Sequence, residues 1–293
     1  MKNIMTFDVE EWYHSNLSSI DGLYRQRTFE SRVEEPTYRI LELLERTGNH
    51  ATFFVLGMIA EKHKQLLRDI HDSGHEIASH GFAHELIYDT GVKAFRQDVS
   101  RGVKLLEDIV GEKVIGYRAP SWSVPDKAPW FWEVLLENGI QYDSSRYPFQ
   151  TYLYGSNHYP RHSHWIYING TKILEWPPSV LEFLGRRVPF SGGFYFRALP
   201  KRILMAMIRR FVRSTGEPVV LYLHPWETDV RSPEVNLTLK DHLIHRLNIK
   251  GCEKKLTDVL TAFQFCSFRE KLKNTKYSAS TVVMNEAESN TIP

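Results

Sequence analysis

The chain has 293 residues, 42% of them apolar and 25% charged, with a formal net charge of +2. That apolar share can build a sizeable core, as one large α/β domain or two small ones. The near balance of charge excludes a protein held to nucleic acid mainly by electrostatics, which would show a basic excess or a dense Lys/Arg stripe. Cys252 and Cys266 are the only cysteines. They are too few for a disulfide framework and lack CxxC spacing, so both read as reduced packing residues. Met1 leads straight into an acidic segment with no room for a signal peptide, and no run of about 18 apolar residues occurs. A soluble, cytoplasmic protein without a transmembrane segment is expected.

In chain order, strand-like runs alternate with helix-period stretches. Residues 4–7 read as a strand, 36–46 as a helix, 52–56 as a strand, and the stretch up to residue 72 as a helix. The next units are a strand at 75–79, a helix at 92–110, a strand at 114–117 and a helix at 128–137. Gly48, Gly74, Gly111 and Gly139 each follow a helical pattern, where a left-handed residue is favoured without a Cβ. From 147 to 193 the pattern loosens around Pro148, Pro160, Pro177, Pro178 and Pro189, which predicts long loops and short strands. Residues 199–212 return to helical period, 218–223 read as a strand and 253–265 as a last helix. Beyond about Thr275 the Ser/Thr/Asn/Glu-rich tail has little to bury. The expected organisation is one folded unit over 1–272 and a disordered tail over 273–293.

Such βα alternation predicts a parallel sheet covered by helices, either closed as a barrel or open and doubly wound. Asp8, His80, Arg118 and His224 each fall at the carboxyl end of a separate strand. That placement fits a barrel mouth better than a single crevice.

Asp8 and Glu10 share one face of a strand, so one carboxylate can bind metal while the other takes a proton. His80 and His84 flank Gly81, whose presence suits a tight turn rather than a zincin helix. Arg118 can hold and orient a buried carboxylate. His224 ends the apolar run Val219-Val220-Leu221-Tyr222-Leu223 and needs a polar partner there, for which Asp143 is the candidate. Singly, each feature has a plainer reading: solvated charge, capped histidine or structural salt bridge. A second cluster, His158, His162 and His164, reads as a surface loop, although His162 and His164 can share a strand face at the mouth. Among the tryptophans, Trp122 and Trp226 are the pocket candidates, each lying within four residues of a proposed catalytic group. Lys201, Arg202, Arg209, Arg210 and Arg213, beside Ile203, Leu204, Met207 and Phe211, permit peripheral contact with an anionic membrane. Packing against the barrel explains the same amphipathic pattern.

Taken together, Thr6-Phe7-Asp8, Ala51-Thr52-Phe53-Phe54-Val55-Leu56-Gly57, Gly74-His75-Glu76-Ile77-Ala78-Ser79-His80 with His84, Arg118-Ala119-Pro120, Tyr142-Asp143-Ser144-Ser145 and Leu223-His224 resemble the polysaccharide deacetylases. This is the family with a NodB-homology domain, carbohydrate esterase family 4, and the likeness spans roughly residues 4–226. The segments Gly192-Gly193-Phe194-Tyr195-Phe196-Arg197 and His224-Pro225-Trp226-Glu227 look like the branch found beside bacterial exopolysaccharide loci. The resemblance implies a distorted (β/α)7–8 barrel, a divalent metal that is usually zinc, and removal of N-acetyl groups from amino sugars of a bacterial glycan or glycan precursor. Carried over, His80 and His84 are metal ligands, Asp8 the general base, Arg118 the residue orienting it, and His224 the general acid tuned by Asp143. A backbone N–H near Ser121 would face the oxyanion, with Trp122 and Trp226 lining the substrate pocket. The departure is Val9, which stands where most members have a metal-binding Asp; strand alternation puts Glu10 in that role. Two other outcomes are a metal-independent, allantoinase-like amidohydrolase acting on a small cyclic amide or ureide, and a catalytically silent glycan-binding module.

Overall fold

A computed structural model describes residues 1–16, 19–20, 29–273 and 280–283. Strand β1 (Asn3–Val9) is buried along its whole length, as a nearly continuous apolar run in a helix-covered parallel sheet must be. Helix α1 (Glu34–Thr47) stops at Gly48, whose φ of 63° lies in the left-handed region. After β2 (Thr52–Val55), the single helix expected up to residue 72 is two, α2 (Gly57–Lys62) and α3 (Lys64–Asp72). They break at His63, whose φ of −121° and ψ of 48° are not helical. Strand β3 (Glu76–Ser79), helix α4 (Val92–Val110), strand β4 (Gly116–Tyr117) and helix α5 (Pro129–Glu137) follow the alternation, then β5 (Tyr142–Asp143).

The proline-rich stretch folds into two antiparallel hairpins, β6 (His164–Ile168) with β7 (Thr171–Glu175), and β8 (Val180–Phe183) with β9 (Arg186–Pro189). Helix α6 (Gly193–Ala198), helix α7 (Lys201–Thr215) and strand β10 (Val220–Leu223) follow. Gly192 lies against β10 so closely that a Cβ would meet the Tyr222 carbonyl oxygen at 1.9 Å. Helix α8 (Leu239–Arg246) lies where the sequence reading placed no element, and α9 (Ile249–Ala262) starts and ends earlier than the expected last helix. It ends early because β11 (Phe265–Cys266) leaves to pair with Asn3 and Ile4. Helix α10 (Phe268–Lys273) comes next. Within the expected disordered tail, β12 (Ser280–Val283) pairs parallel to β6, consistent with its β-branched Thr-Val-Val run. Residues 274–279 and 284–293 lie outside the described residues.

The sheet runs β10-β1-β2-β3-β4-β5-β7-β6-β12, with β11 also on β1, and every ladder except β6–β7 is parallel. It curls as a half-barrel, the distorted barrel expected of this pattern. Beyond β10 the wall continues as irregular chain: Val220 N–H donates to Ser179 Oγ at 2.9 Å and Tyr222 N–H to the Ser191 carbonyl at 2.9 Å. Phe7, Phe53 and Val55 face the helices in the larger core, while Ile4, Phe54, Ala78 and Val220 fill the inner side. Phe268 plugs the floor, with its N–H on Thr52 Oγ1 at 2.9 Å. Parallel pairing puts the carboxyl ends of β1, β3, β4 and β10 on one edge, and the polar residues follow there.

Candidate active site

Strand alternation sends Thr6 and Asp8 inward, and Glu10 follows just past the end of β1. Arg118, fully buried after β4, donates from Nη1 to Asp8 Oδ1 at 2.6 Å and to Thr6 Oγ1 at 2.9 Å. Its Nη2 donates to Ser144 Oγ at 3.0 Å and its Nε to the Ser144 carbonyl at 3.3 Å, while its plane lies over Phe54 at 4.2 Å. A guanidinium with that many fixed partners cannot turn, so it holds Asp8 in one orientation.

Glu10, His80 and His84 present ligand atoms that all lie within 4.8 Å of one another. His84 Nε2 is 2.7 Å and His80 Nε2 3.8 Å from Glu10 Oε2. His80 Nδ1 sits 2.7 Å from the Arg118 carbonyl, which can only accept, so Nδ1 carries the proton and Nε2 keeps its lone pair for the cluster. The turn between the histidines needs Gly81, at φ 79°, where a Cβ would sit 2.8 Å from Asp98 Oδ2. Asp98 in turn accepts the Phe82 and Ala83 N–H groups at 2.8 and 3.1 Å. Burial pushes the Glu10 carboxyl up, but His84, His224 and His80 together hold it well below the usual carboxylate range. Val9, by contrast, packs in the helix-side core opposite Val55, so Glu10 is the carboxylate that faces the histidines.

His224 Nε2 points at this cluster, 3.7 Å from Glu10 Oε1 and 4.0 Å from Asp8 Oδ2. Its other nitrogen corrects the expectation about Asp143. Nδ1 lies 3.0 Å from Glu227 Oε2, and the His224 N–H donates to the same oxygen at 3.0 Å. Glu227 Oε1 accepts from Arg197 Nε at 2.6 Å, and the Arg197 head also donates to the carbonyls of Ile244, His245 and Leu247. Burial raises the Glu227 carboxyl, but Arg197 and His224 override it and bring it from 4.5 down to about 2. Burial lowers His224, yet Glu10, Glu227 and Asp8 lift it from 6.5 to about 9. Asp143 is engaged elsewhere: it accepts from Ser145 Oγ at 2.5 Å and Ser145 N–H at 3.2 Å and sits beside Glu175.

These groups open into a cavity of about 350 Å³. Its wall includes Ser121, Trp122, Tyr154, Phe194, Tyr195 and Tyr222. Ser121 and Trp122 both have left-handed φ, 50° and 48°, and Ser121 Oγ accepts from Asn16 Nδ2 at 2.7 Å. Trp122 packs edge-on to Tyr222 at 4.6 Å, in the pocket wall where the sequence placed it. Trp226 lines the cavity but is not an open platform for a sugar. His224 and His245 both stack on its ring, at 5.3 and 4.6 Å, and its N–H approaches Glu10 Oε1 at 3.5 Å. Of the second histidine cluster, His164 is wholly buried opposite Glu175, and His162 pairs with Glu217 at 3.3 Å, so neither faces the cavity.

Glu227, Arg197, His14 and His245 are neighbours to which the sequence reading gave no role in the site, although Arg197 and Glu227 stand in the two segments it singled out. His14 stacks on His84 at 5.6 Å, and burial followed by the nearby His84 pushes it down to about 3. The signal for Glu227 was its place three residues after a strand-end histidine, the spacing of a capping box, of which Glu227 supplies its half by accepting the His224 N–H.

Residues 26–142 match the family model described as polysaccharide deacetylase, and residues 144–273 a domain of unknown function, DUF3473. The seam between them falls at β5, inside the one continuous sheet, and His224 and Glu227 come from the second segment. A peptidoglycan deacetylase of Helicobacter pylori is 32% identical over 36% of this chain and 36% of its own length. A peptidoglycan-N-acetylglucosamine deacetylase of Bacillus cereus is 29% identical over 31% of this chain and 44% of its own length. The chain therefore spans less than half the length of these relatives. A Mycobacterium smegmatis structure described as a polysaccharide deacetylase overlays with a TM-score of 0.63 at 23% identity, covering 97% of this chain and 93% of that one. A carbohydrate esterase family 4 pseudoenzyme from Bacillus anthracis overlays at 0.52 and 13% identity, covering 97% of this chain and 70% of that one. At such identities the overlays speak for the fold alone. Residues 26–142 thus form a polysaccharide deacetylase segment, and the whole chain shares the fold of these structural neighbours.

Proposed function

We propose that the protein removes N-acetyl groups from amino sugars of a bacterial glycan or glycan precursor, with a divalent cation, zinc by preference, at Glu10, His80 and His84. The observation that carries this reading is the convergence of Asp8, Glu10, His80, His84 and His224 on one cavity from three separate strand ends. The donor set fits the ion: two imidazoles, one with its far nitrogen tied to a carbonyl, and one buried carboxylate are the ligands of catalytic zinc sites that keep an open position. When bound, such a cation supplies Lewis acidity, polarising the acetyl carbonyl and acidifying water in the site.

The chain's own groups do the rest. Asp8, fixed by Arg118, takes the proton of the attacking water as the C–O bond forms. Ser121 follows Pro120 at the start of a short 3-10 turn, where its N–H lies too early to have an intrahelical acceptor, and that N–H donates to the carbonyl oxygen as negative charge grows there. His224, its Nδ1–H fixed on Glu227, delivers the Nε2 proton to the sugar nitrogen as the C–N bond breaks, leaving acetate and a free amine. Acid and base terms of this kind are each worth about 10²–10⁴-fold.

The test is acetate release from N-acetylated glycan oligomers and glycan precursors, before and after chelation. Release that stops with chelator and returns with zinc supports the reading. Release indifferent to chelator, from protein free of metal by elemental analysis, would replace it with a metal-independent amidohydrolase.

A further inference from the structure

Away from the cavity, the tip of the β8–β9 hairpin breaks two local rules at once. Phe183 pairs with Arg186, so Leu184 and Gly185 form a two-residue turn, with φ of 50° and 72°. Positive φ at both central positions is type I′ geometry, which favours Asn, Asp or Gly and disfavours a bulky aliphatic side chain. Leu184 is nonetheless there, 87% exposed, beside Phe183 at 54%. An apolar residue that is strained in its turn and bare to water marks a function rather than a folding need.

The hairpin does not stand alone. Arg210 of α7 lies over the Phe183 ring at 5.5 Å. Helix α7 buries Leu204, Ile208 and Phe211 against the sheet and turns Arg202, Arg209, Arg210 and Arg213 outward. The carboxylates nearby are spent: Glu182 pairs with Arg161 at 3.1 Å and Asp258 with Lys201 at 2.6 Å. Among the described residues, Arg186, Arg202, Arg209, Arg210 and Arg213 form no ion pair with a carboxylate, although the whole chain carries only +2. Five arginines without a carboxylate partner therefore share the hairpin and the outward side of α7.

We propose that the β8–β9 tip and the basic face of α7 dock on an anionic lipid bilayer, with Phe183 and Leu184 entering the boundary between headgroups and acyl chains while the arginines meet lipid phosphates. A soluble polyanion would use the arginines but give the apolar tip no partner.

The test is co-sedimentation of the full chain with phosphatidylglycerol–phosphatidylcholine vesicles and with pure phosphatidylcholine vesicles. The protein should pellet with the mixed vesicles, less so as salt rises, and not with the neutral ones. Arg209→Glu with Arg210→Glu should lower binding by at least about tenfold, and Phe183→Ser with Leu184→Ser by about threefold or more. All four positions are exposed, so circular dichroism and melting of both variants should match the wild type. Failure of the wild type to bind mixed vesicles, or wild-type binding by the charge-reversed variant, overturns the proposal. Wild-type binding by the hairpin variant also overturns it, and assigns the face to a soluble polyanion.

Discussion

Two buried glutamates, one at a strand end and one in the turn after a strand of the same sheet, meet opposite fates. Glu227 follows β10 and touches Arg197 and His224, and it is brought down to about 2 despite its burial. Glu175, at the end of β7, receives the Arg146 N–H at 3.0 Å but has Asp143 for a neighbour. Burial and then the Asp143 charge push it well above the usual carboxylate range, while burial raises Asp143 less. The proton of that pair belongs to Glu175. Burial is common to both sites, and Arg146 lowers Glu175 and Asp143 without overcoming it; what differs is that Glu227 has Arg197 and His224 in direct contact, whereas Glu175 has a second acid for its neighbour. Only the first site can serve an imidazole that must be charged and aimed.

The sharpest way to break this contrast is to exchange roles. Glu227→Gln should lower acetate release by about 10²–10⁴-fold, with the alkaline limb of the pH–rate profile moving to lower pH, because a cause that raises His224 is gone. Asp143→Asn should leave turnover close to wild type. The reverse outcome, tolerance at Glu227 and collapse at Asp143, would restore Asp143 as the partner of His224. Arg197→Met tests the other end of the chain of contacts. It leaves Glu227 buried without its cation, which should cost about 3–5 kcal/mol in denaturant unfolding, and Arg197→Lys should recover only part of it.

A third buried carboxylate, Glu10, is held down by imidazoles alone and is the one offered to a metal. Glu10→Gln should weaken metal retention by at least about tenfold, measured by elemental analysis after dialysis. Unchanged retention would remove Glu10 from the ligand set and leave the two histidines to bind with another donor.

The parts legible in the sequence are those set by periodicity and strand ends. Asp8, His80, Arg118 and His224 each follow an apolar run, and parallel pairing alone brings such positions to one edge. Glu10 was legible too, since a period of two returns it to the face of Asp8. What escaped depends on contacts between distant segments. Nothing in Tyr142-Asp143-Ser144-Ser145 reveals that β7 delivers Glu175 beside Asp143, or that Arg197 crosses to Glu227 from another helix. Trp226 was near the right group in sequence, but only packing shows its ring covered by His224 and His245. Helix α8 escaped because its exposed Leu239 and Leu243 blur the amphipathic pattern.

The smallest expected effect separates the two glutamates by pH. Glu227 binds fewer protons folded than unfolded between 4.5 and about 2, so its contribution to stability is complete above that window and is lost as pH falls through it. Glu175 runs the other way: the folded chain keeps a proton that the unfolded chain releases above 4.5, so its contribution is full below that value and declines as pH rises through the folded one. Glu175→Gln retains a donor for Asp143 but cannot titrate. Near pH 5 its unfolding free energy should match the wild type, and it should exceed the wild type increasingly as pH rises toward 8. Urea unfolding at the two values reads this directly. A variant destabilised equally at both would mean that Glu175 is ionised in the folded chain, and the contrast with Glu227 would then rest on packing rather than on charge.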